Sequence, residues 1–388
     1  MRGADLKILF LHNYYKISGG EDSVFSNEKA LLELHNCKTV EYSVSNDEIE
    51  GFTAKLKAMV FTVFSFKYYS IVRRLLIKIK PDIVHVHNFF PLLTPSVFYA
   101  AKNTTPIVLT LHNYRTICPT SLLLFKGKPN ERSLNESAYW AVPHKVYRHS
   151  FIGTFTLASM IVFHKKIGTW GDNVDRFICL TEFSRSKFIT AGFPREKLVV
   201  KPNFTLDPGF DSKQHRNDCA VFIGRLSEEK GIDILLNAWQ LLDYSLDVIG
   251  EGIVKVKLNE HVNLLGKKTK IDVIQATKSS NFIIVPSICY EGFPMAIVEA
   301  FACGTPVLCS RLGSMEEIVE DGVTGLHFEA GNAQDLAEKA QWLIDNPERT
   351  REMGQNARNE YLAKYTPEKN YEMLMDIYQQ AIEEAKKR

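Results

Sequence analysis

Two consecutive α/β domains, each built on a parallel sheet, are what this 388-residue sequence predicts. Three observations carry the prediction. Short apolar runs recur with helical or irregular stretches between them, which is the spacing of βα units. The pattern restarts near the middle of the chain, at Ala220–Gly224. The length allows two or three domains at about 150 residues each. Hydrophobic residues at 45% and charged residues at 24% exclude disordered, collagenous and low-complexity classes.

The first domain opens with the strand Lys7–His12, a loop ending in Gly19-Gly20, and a helix over Asp22–His35 with Val24, Phe25, Ala30, Leu31 and Leu34 at helical spacing. Further strands are expected at Val40–Val44, Ile83–His87, Ile107–Leu111 and Arg176–Leu180. The polar stretch Asn203–Asp218, with Pro208 and Gly209, marks the join. Beyond Ala220–Gly224 come a helix over Ile232–Leu242, strands at Leu246–Ile249 and near Val262–Leu265, and a helix at Ile271–Ala276. The strand Phe282–Val285, the helix Pro294–Ala302 and the strand Pro306–Cys309 follow. After Gly331 only helices are expected: Gln334–Asp345, Glu348–Ala363 and the amphipathic Pro367–Ala385, with Tyr371, Leu374, Met375, Ile377, Tyr378 and Ile382.

The sharpest constellation is Glu291-Gly-Phe-Pro-Met-Ala-Ile-Val-Glu299. Pro294 suits the first helical position, where its missing N–H costs little. The helix start would then present free N–H groups at Met295 and Ala296 to an anion. Glu291 and Glu299 can address two parts of one ligand, although a helix start with surface glutamates would look the same. A second constellation, Gly224-Arg-Leu-Ser-Glu-Glu-Lys-Gly231, places Arg225 and Lys230 on a loop at the carboxyl end of a strand. Both residue types suit phosphate oxygens, and open α/β sheets bind ligands at that edge. Ser227 is a candidate helix cap; the alternative is a solvated charged loop. Ser18-Gly19-Gly20 lets backbone approach a ligand closely but is not G-x-G-x-x-G, so the dinucleotide fingerprint of a dehydrogenase is absent. His112, at a strand's carboxyl end, is a candidate contact for a ligand, with His12 a less persuasive one. His85 and His87 alternate along a strand without further ligands nearby in sequence, so no metal site is expected.

The near-neutral whole, net +2, hides a split: residues 1–207 carry 27 Lys+Arg against 17 Asp+Glu, and residues 208–388 carry 20 against 28. A first half at +10 against a second at −8 is either compositional drift between two domains or a first half that faces an anionic membrane, phosphorylated substrate or nucleic acid. Seven basic residues and no acidic one lie between Gly51 and Pro81: Lys55, Lys57, Lys67, Arg73, Arg74, Lys78 and Lys80. Aromatic and aliphatic residues are interleaved with them. Ser150–Phe163, flanked by basic residues, has the same character. Such faces suit an anionic membrane surface, or simply a solvated face over a core. Nucleic acid is disfavoured because no recognition module is visible. Ser150–Phe163 has 14 residues, short of the ~20 that span a bilayer. Neither a transmembrane helix nor a signal peptide is expected. The seven cysteines, odd in number and without C-x-x-C, suggest no disulfide framework and fit a reducing cytoplasm.

Taken together, F-I-G-R-L-S-E-E-K-G, V-P-S at Val285–Ser287, E-G-F-P-M-A-I-V-E, A-C-G-T-P-V and D-G-V-T-G-L at Asp321–Leu326 resemble glycosyltransferase family 4, the retaining GT-B group. The resemblance spans nearly the whole chain and is strongest from Val221 to Leu326. It implies two Rossmann-like domains facing across a cleft, with a C-terminal helix crossing back to the first. The implied division is an acceptor-side domain over 1–207, a donor-binding domain over 208–365, and the helix 366–388. It further implies a nucleotide-sugar co-substrate, with no cofactor and no metal; no D-x-D motif is present. Residues matching Arg225 and Lys230 bind the donor diphosphate in similar enzymes, that matching Glu291 holds sugar hydroxyls, and that matching Glu299 holds the ribose. Gly19 and Gly20 would approach the diphosphate and acceptor, and His112 matches a histidine beside the transferred sugar. Many members have Glu-x-Phe-Gly where this chain has Pro294. Phe293, Met295 and Ala296 would then supply the backbone contacts, which leaves the sugar open.

The expected activity is retaining transfer of a hexose from a UDP- or GDP-sugar to a glycan or lipid-linked acceptor in cell-envelope polysaccharide synthesis. It would take place in the cytoplasm or on the inner face of the membrane. A small soluble acceptor, an inactive nucleotide-sugar-binding protein and a pyridoxal-phosphate phosphorylase are the alternatives.

Overall fold

A computed structural model describes residues 6–16, 19–49, 51, 59–212 and 216–387. Contacts divide the chain into two compact units: Met1–Leu123, Asn130–Lys201 and Asn370–Arg388 in one, Leu124–Pro129 and Pro202–Lys369 in the other.

Strands of the first unit are β1 (Lys7–Tyr14), β2 (Lys38–Ser45), β3 (Ile83–Val86), β4 (Ile107–Leu111), β7 (Arg176–Cys179) and β8 (Leu198–Val200). They form a parallel sheet in the order β2-β1-β3-β4-β7-β8. Its central strands are buried along their length, which is why they read as continuous apolar runs. Helices α1 (Gly20–Leu34), α2 (Phe66–Ile79), α3 (Ser96–Ala101), α4 (Arg132–Asn135), α5 (Phe151–Lys166), α6 (Thr169–Asn173) and α7 (Glu182–Thr190) lie between the strands. Helix α2 buries Tyr68, Val72 and Leu76, spaced four apart on one face. The small hairpin β5–β6 (Leu124–Phe125 with Lys128–Pro129) groups with the second unit.

The second unit repeats the plan with β9 (Asn217–Ile223), β10 (Ser245–Ile249), β11 (Val262–Gly266), β12 (Ser280–Val285), β13 (Val307–Ser310) and β14 (Gly325–Phe328). The parallel order is β11-β10-β9-β12-β13-β14. Helices α8 (Ile232–Trp239), α9 (Lys270–Ser279), α10 (Met295–Ala302), α11 (Ser314–Ile318), α12 (Ala333–Asp345) and α13 (Pro347–Lys364) complete it. Phe222, Leu235, Trp239, Val248, Phe282 and Leu336 are part of its core.

The units divide at Lys201, six residues before the expected join, and the reason is local. Arg358 on α13 grips the Asp207 carboxylate at 2.9 and 2.6 Å, and Tyr361 donates to the Thr205 carbonyl at 3.1 Å. Lys278 reaches the Pro208 carbonyl at 2.6 Å. Apparent linker residues are therefore bound into the second unit. The last helix, α14 (Pro367–Lys386), belongs to the first unit from Asn370 onward. Tyr371 stacks on His35 with ring centroids 3.7 Å apart, Tyr378 bonds His85 at 2.7 Å, and Glu384 pairs with Arg176.

Candidate functional site

The carboxyl ends of β9, β10 and β12 gather the second-unit candidates. After β9 the chain makes a tight turn through Arg225–Lys230 and reaches Gly231, whose φ of +71° is left-handed. A Cβ there would lie 1.9 Å from the Pro286 carbonyl oxygen, so only glycine permits the approach. That contact brings Lys230 to the segment after β12. Its ammonium donates to Glu291 Oε1 at 2.6 Å, and Ser287 Oγ donates to the same oxygen at 2.5 Å. Burial would raise the Glu291 carboxyl, but Lys230 outweighs it and holds the group below its ordinary value. Lys230 in turn is raised because Glu291 overcomes its burial. Arg225 pairs with Glu229 at 3.2 Å, and its charge also acts on Glu291. The loop therefore focuses two cations on one carboxylate.

Pro294 is the cap of α10 rather than its first residue; with ψ at 96° it is extended, and the helix begins at Met295. Met295 and Ala296 occupy the first turn, Phe293 is buried, and Ile297 N–H already bonds the Pro294 carbonyl at 3.0 Å. Glu299 is half-buried, and burial pushes its carboxyl up against the pull of Lys270. Ser227 does not cap with its side chain; its hydroxyl is buried without a partner among the described residues, and its carbonyl accepts from Lys230 N–H at 3.1 Å. Sequence reasoning missed Ser287 and also Gly250 and Gly252. A Cβ on either glycine would lie within 2.1 Å of the Gly224 or Leu226 carbonyl oxygen, so this pair lets the chain after β10 pack against the backbone on either side of Arg225.

In the first unit, Gly19 and Gly20 begin α1, and Ser18 lies outside the described residues. Asp22 accepts from the Gly19 N–H at 3.1 Å and from His12 Nε2 at 2.8 Å, so His12 anchors the glycine turn. His112 follows β4 and is half-buried. Its Nε2 lies 3.0 Å from Nδ1 of His87, and Nε2 of His87 lies 3.2 Å from Glu28 Oε1. Glu28 Oε2 accepts from Lys201 at 2.7 Å, and Lys201 also reaches Asn370 at 3.1 Å. Glu28 thus supplies the third donor near His85 and His87 that the sequence did not reveal. The three groups lie close enough to hold a metal ion. The Lys201 ammonium already supplies the positive charge there, and His85 is occupied by Tyr378 at 2.7 Å and Thr110 at 2.8 Å.

Glu21, next to Gly20, is a further residue the sequence analysis passed over. Asn113 donates to it at 3.3 Å, and burial, then the neighbouring Asp22, pushes its carboxyl up to about 7. An unfolded carboxyl ionises near 4.5. The stability from this proton is full below that value and falls as pH rises to about 7. Glu21→Gln preserves the neutral form, so it should match the parent at pH ~4.5 and gain at most about 3 kcal/mol at pH ~8. Thermal unfolding at both pH values checks this; an equal gain at each would refute it.

Of the basic segment before Pro81, Lys55 and Lys57 lie outside the described residues. Lys67, Arg74 and Lys78 are exposed on α2, beside exposed Phe66 and Ile77. Helix α5 exposes Phe151, Ile152, Phe155 and Phe163 ahead of Lys165 and Lys166. His164 of α5 bonds the Val63 carbonyl at 2.7 Å, which joins the two segments. Among the described residues, no helix is long and apolar enough to cross a membrane.

Two family models match the chain: glycosyltransferase family 4 over residues 60–205, and glycosyl transferases group 1 over residues 208–360. An uncharacterized glycosyltransferase of Methanocaldococcus jannaschii is 27% identical over 308 residues, covering 77% of this chain and 75% of that protein. The α-D-kanosaminyltransferase of Streptomyces kanamyceticus is 21% identical over 76% of this chain and 77% of its own. Among solved structures, Anabaena HepE in complex with UDP is similar with a TM-score of 0.68 at 18% identity, covering 96% of this chain and 99% of that one. The sucrose-phosphate synthase of Thermosynechococcus elongatus gives 0.70 at 16% identity, covering 97% and 98%. These likenesses show the GT-B fold.

Proposed function

This chain belongs to glycosyltransferase family 4, and on that premise we propose that it transfers a hexose with retention from a UDP- or GDP-sugar to a glycan or lipid-linked acceptor. The observation that carries the proposal is the Lys230–Glu291–Ser287 cluster beside Arg225 and the start of α10. A nucleotide diphosphate gains negative charge as it leaves the sugar. Arg225, Lys230 and the first-turn N–H groups of Met295 and Ala296 stabilise that charge. Glu291, kept ionised by Lys230, accepts hydrogen bonds from sugar hydroxyls, and Glu299 takes the ribose. Phe293 fixes the approach to α10. Gly19, Gly20 and His112 are assigned to the diphosphate, the acceptor and the transferred sugar. The bond from the anomeric carbon to phosphate oxygen breaks and a bond to the acceptor oxygen forms on the same face. The acceptor's proton passes to the departing phosphate. That HepE has been seen with UDP and with UDP-glucose supports a nucleotide-sugar donor here.

Incubating the purified protein with UDP- and GDP-sugars and a panel of lipid-linked and soluble acceptors tests the proposal. A product with the donor's anomeric configuration is expected; an inverted product, or no transfer from any donor, defeats it.

The exposed apolar residues of α2 and α5, set among lysines and arginines, support peripheral binding to an anionic bilayer. Sedimentation with vesicles containing anionic lipid should carry the protein down at low salt and release it as salt rises. Equal binding to neutral vesicles, or none to either, would count against this face.

A further inference from the structure

We propose that Glu28 and His87 are positioning residues that fix the tautomer of His112, so that it offers a bare Nδ1 as a hydrogen-bond acceptor to a sugar hydroxyl. The inference rests on the placement of His112 beside the transferred sugar and deepens that reading.

Donors and acceptors alternate along one buried chain from Lys201 to His112. Lys201 and Glu28 are each 1% exposed and lie 2.7 Å apart. Lysine offers only donors and an ionised carboxylate only acceptors. Burial would raise the Glu28 carboxyl, but Lys201, then His87, hold it well below the ordinary range. The carboxylate's second oxygen lies 3.2 Å from His87 Nε2, a close charge contact without hydrogen-bond alignment. A bare imidazole nitrogen there would set two acceptors against each other, so His87 carries its proton on Nε2.

Burial keeps His87 neutral, so its Nδ1 is then bare. That atom lies 3.0 Å from His112 Nε2. The contact is a hydrogen bond only if His112 holds its proton on Nε2 and donates it. Burial also keeps His112 neutral, which leaves Nδ1 without a proton. Among the described residues the His112 ring hydrogen-bonds only through Nε2, to His87, and His112 is half-buried rather than enclosed. An imidazole set this way accepts from a hydroxyl and cannot donate to one. The carboxylate, through one intervening ring, thereby sets the polarity of the group that meets the sugar, as a carboxylate sets its histidine in hydrolase triads.

Other groups facing the chain agree with this order. His12 is committed to Asp22 at 2.8 Å; His85 is held by Tyr378 and Thr110, and its Nδ1 stands 3.4 Å from the same Glu28 oxygen, farther than His87. Neither competes for His112 Nε2. The stacked rings of His87 and His112, with centroids 5.2 Å apart and planes at 28°, leave little freedom to reorient.

The test is nitrogen NMR on the full chain labelled at histidine, with His112 assigned by its loss in His112→Gln. The wild type is expected to show His112 protonated at Nε2 alone; a proton on Nδ1 overturns the proposal. In Glu28→Gln, Lys201 takes the amide oxygen and the amide N–H groups face His87. Both imidazoles should then invert, giving His112 a proton on Nδ1 and lowering kcat/KM about 10–100-fold. Should that variant fail to fold, His87→Phe removes the bond that dictates the tautomer. A mixture of His112 tautomers and a similar loss are expected from it. A changed tautomer with unchanged kcat/KM would overturn the functional half. Absence of transfer by the wild type with any donor would instead fail the glycosyltransferase reading, while the NMR still decides the chain of protons.

Discussion

Lys230→Ala is expected to lower kcat about 10²–10³-fold while the protein stays folded. The magnitude follows from removing one positioned cation from a site where leaving-group charge develops. Folding should survive because the side chain leaves a short turn, not a core. The turn's shape depends on Gly231 against Pro286 rather than on the ammonium. Glu291 then keeps only Ser287 and the more distant Arg225, so its carboxyl drifts up toward the ordinary value. Loss of one hydrogen bond to a charged group costs about 2 kcal/mol of stability. A second consequence separates binding from catalysis. Lys230 neutralises Glu291 as well as facing phosphate, so Lys230→Ala should weaken selection among sugars in addition to slowing transfer. Glu291→Gln keeps Lys230 for the diphosphate and should impair sugar recognition more than nucleotide affinity. Turnover with a matched donor, together with UDP or GDP binding by calorimetry, measures both. Near-normal turnover of Lys230→Ala would remove the residue from the machinery.

The two parallel sheets were legible because strands buried on both faces leave continuous apolar runs. Ile107–Leu111 was read with the bounds it has in the structure. Short elements were lost where the apolar signal is brief. Strand β8 is only Leu198–Val200, and β14 is Gly325–Phe328 with a histidine inside it. The donor-side motifs were legible because glycine, proline and charged residues cluster in one loop and one helix start. What could not be read was tertiary. Glu28 looks like a surface glutamate on an amphipathic helix, and Lys201 like a solvated lysine just before the polar join. Only the tertiary fold brings Lys201 after β8, Glu28 on α1 and His87 after β3 into one buried cluster. The glycines at 250 and 252 were equally silent, since their role is a carbonyl approach across strands. Ser227 was read as a cap from its type, but the turn after it satisfies itself through the backbone. The charge split keeps its value as a question about the first unit. Its exposed basic residues on α2 stand beside exposed Phe66 and Ile77, whereas buried Lys201 contributes to the +10 while its charge is spent on Glu28 inside the unit.

Lys201 should show its importance through stability. Lys201→Met is expected to cost about 3–5 kcal/mol at neutral pH, because it strands the Glu28 carboxylate in the core without its cation. The lysine is fixed from both sides: its backbone N–H bonds the Cys179 carbonyl at 2.9 Å, and its ammonium holds Glu28 and Asn370. Replacing both charges, in Lys201→Met with Glu28→Gln, should recover much of the loss, since a neutral pair has no Coulombic debt to desolvation. The pH dependence gives the sharper discrimination. In the wild type the Glu28 carboxyl is held below its unfolded value. Its contribution is present above about 4.5 and lost as pH falls through the folded value. Without Lys201, burial dominates and the folded value moves above the unfolded one. The sign then reverses, and Lys201→Met should gain stability as pH falls from neutral toward about 5 while the wild type does not. Thermal unfolding across that range reads the slope directly. Because the chain has two compact units, the loss should appear in the transition of the unit holding β1–β4, with the other transition unmoved. A parallel slope in mutant and wild type would mean that Glu28 is neutral in the native protein, and the order of protons from Lys201 to His112 would fail with it.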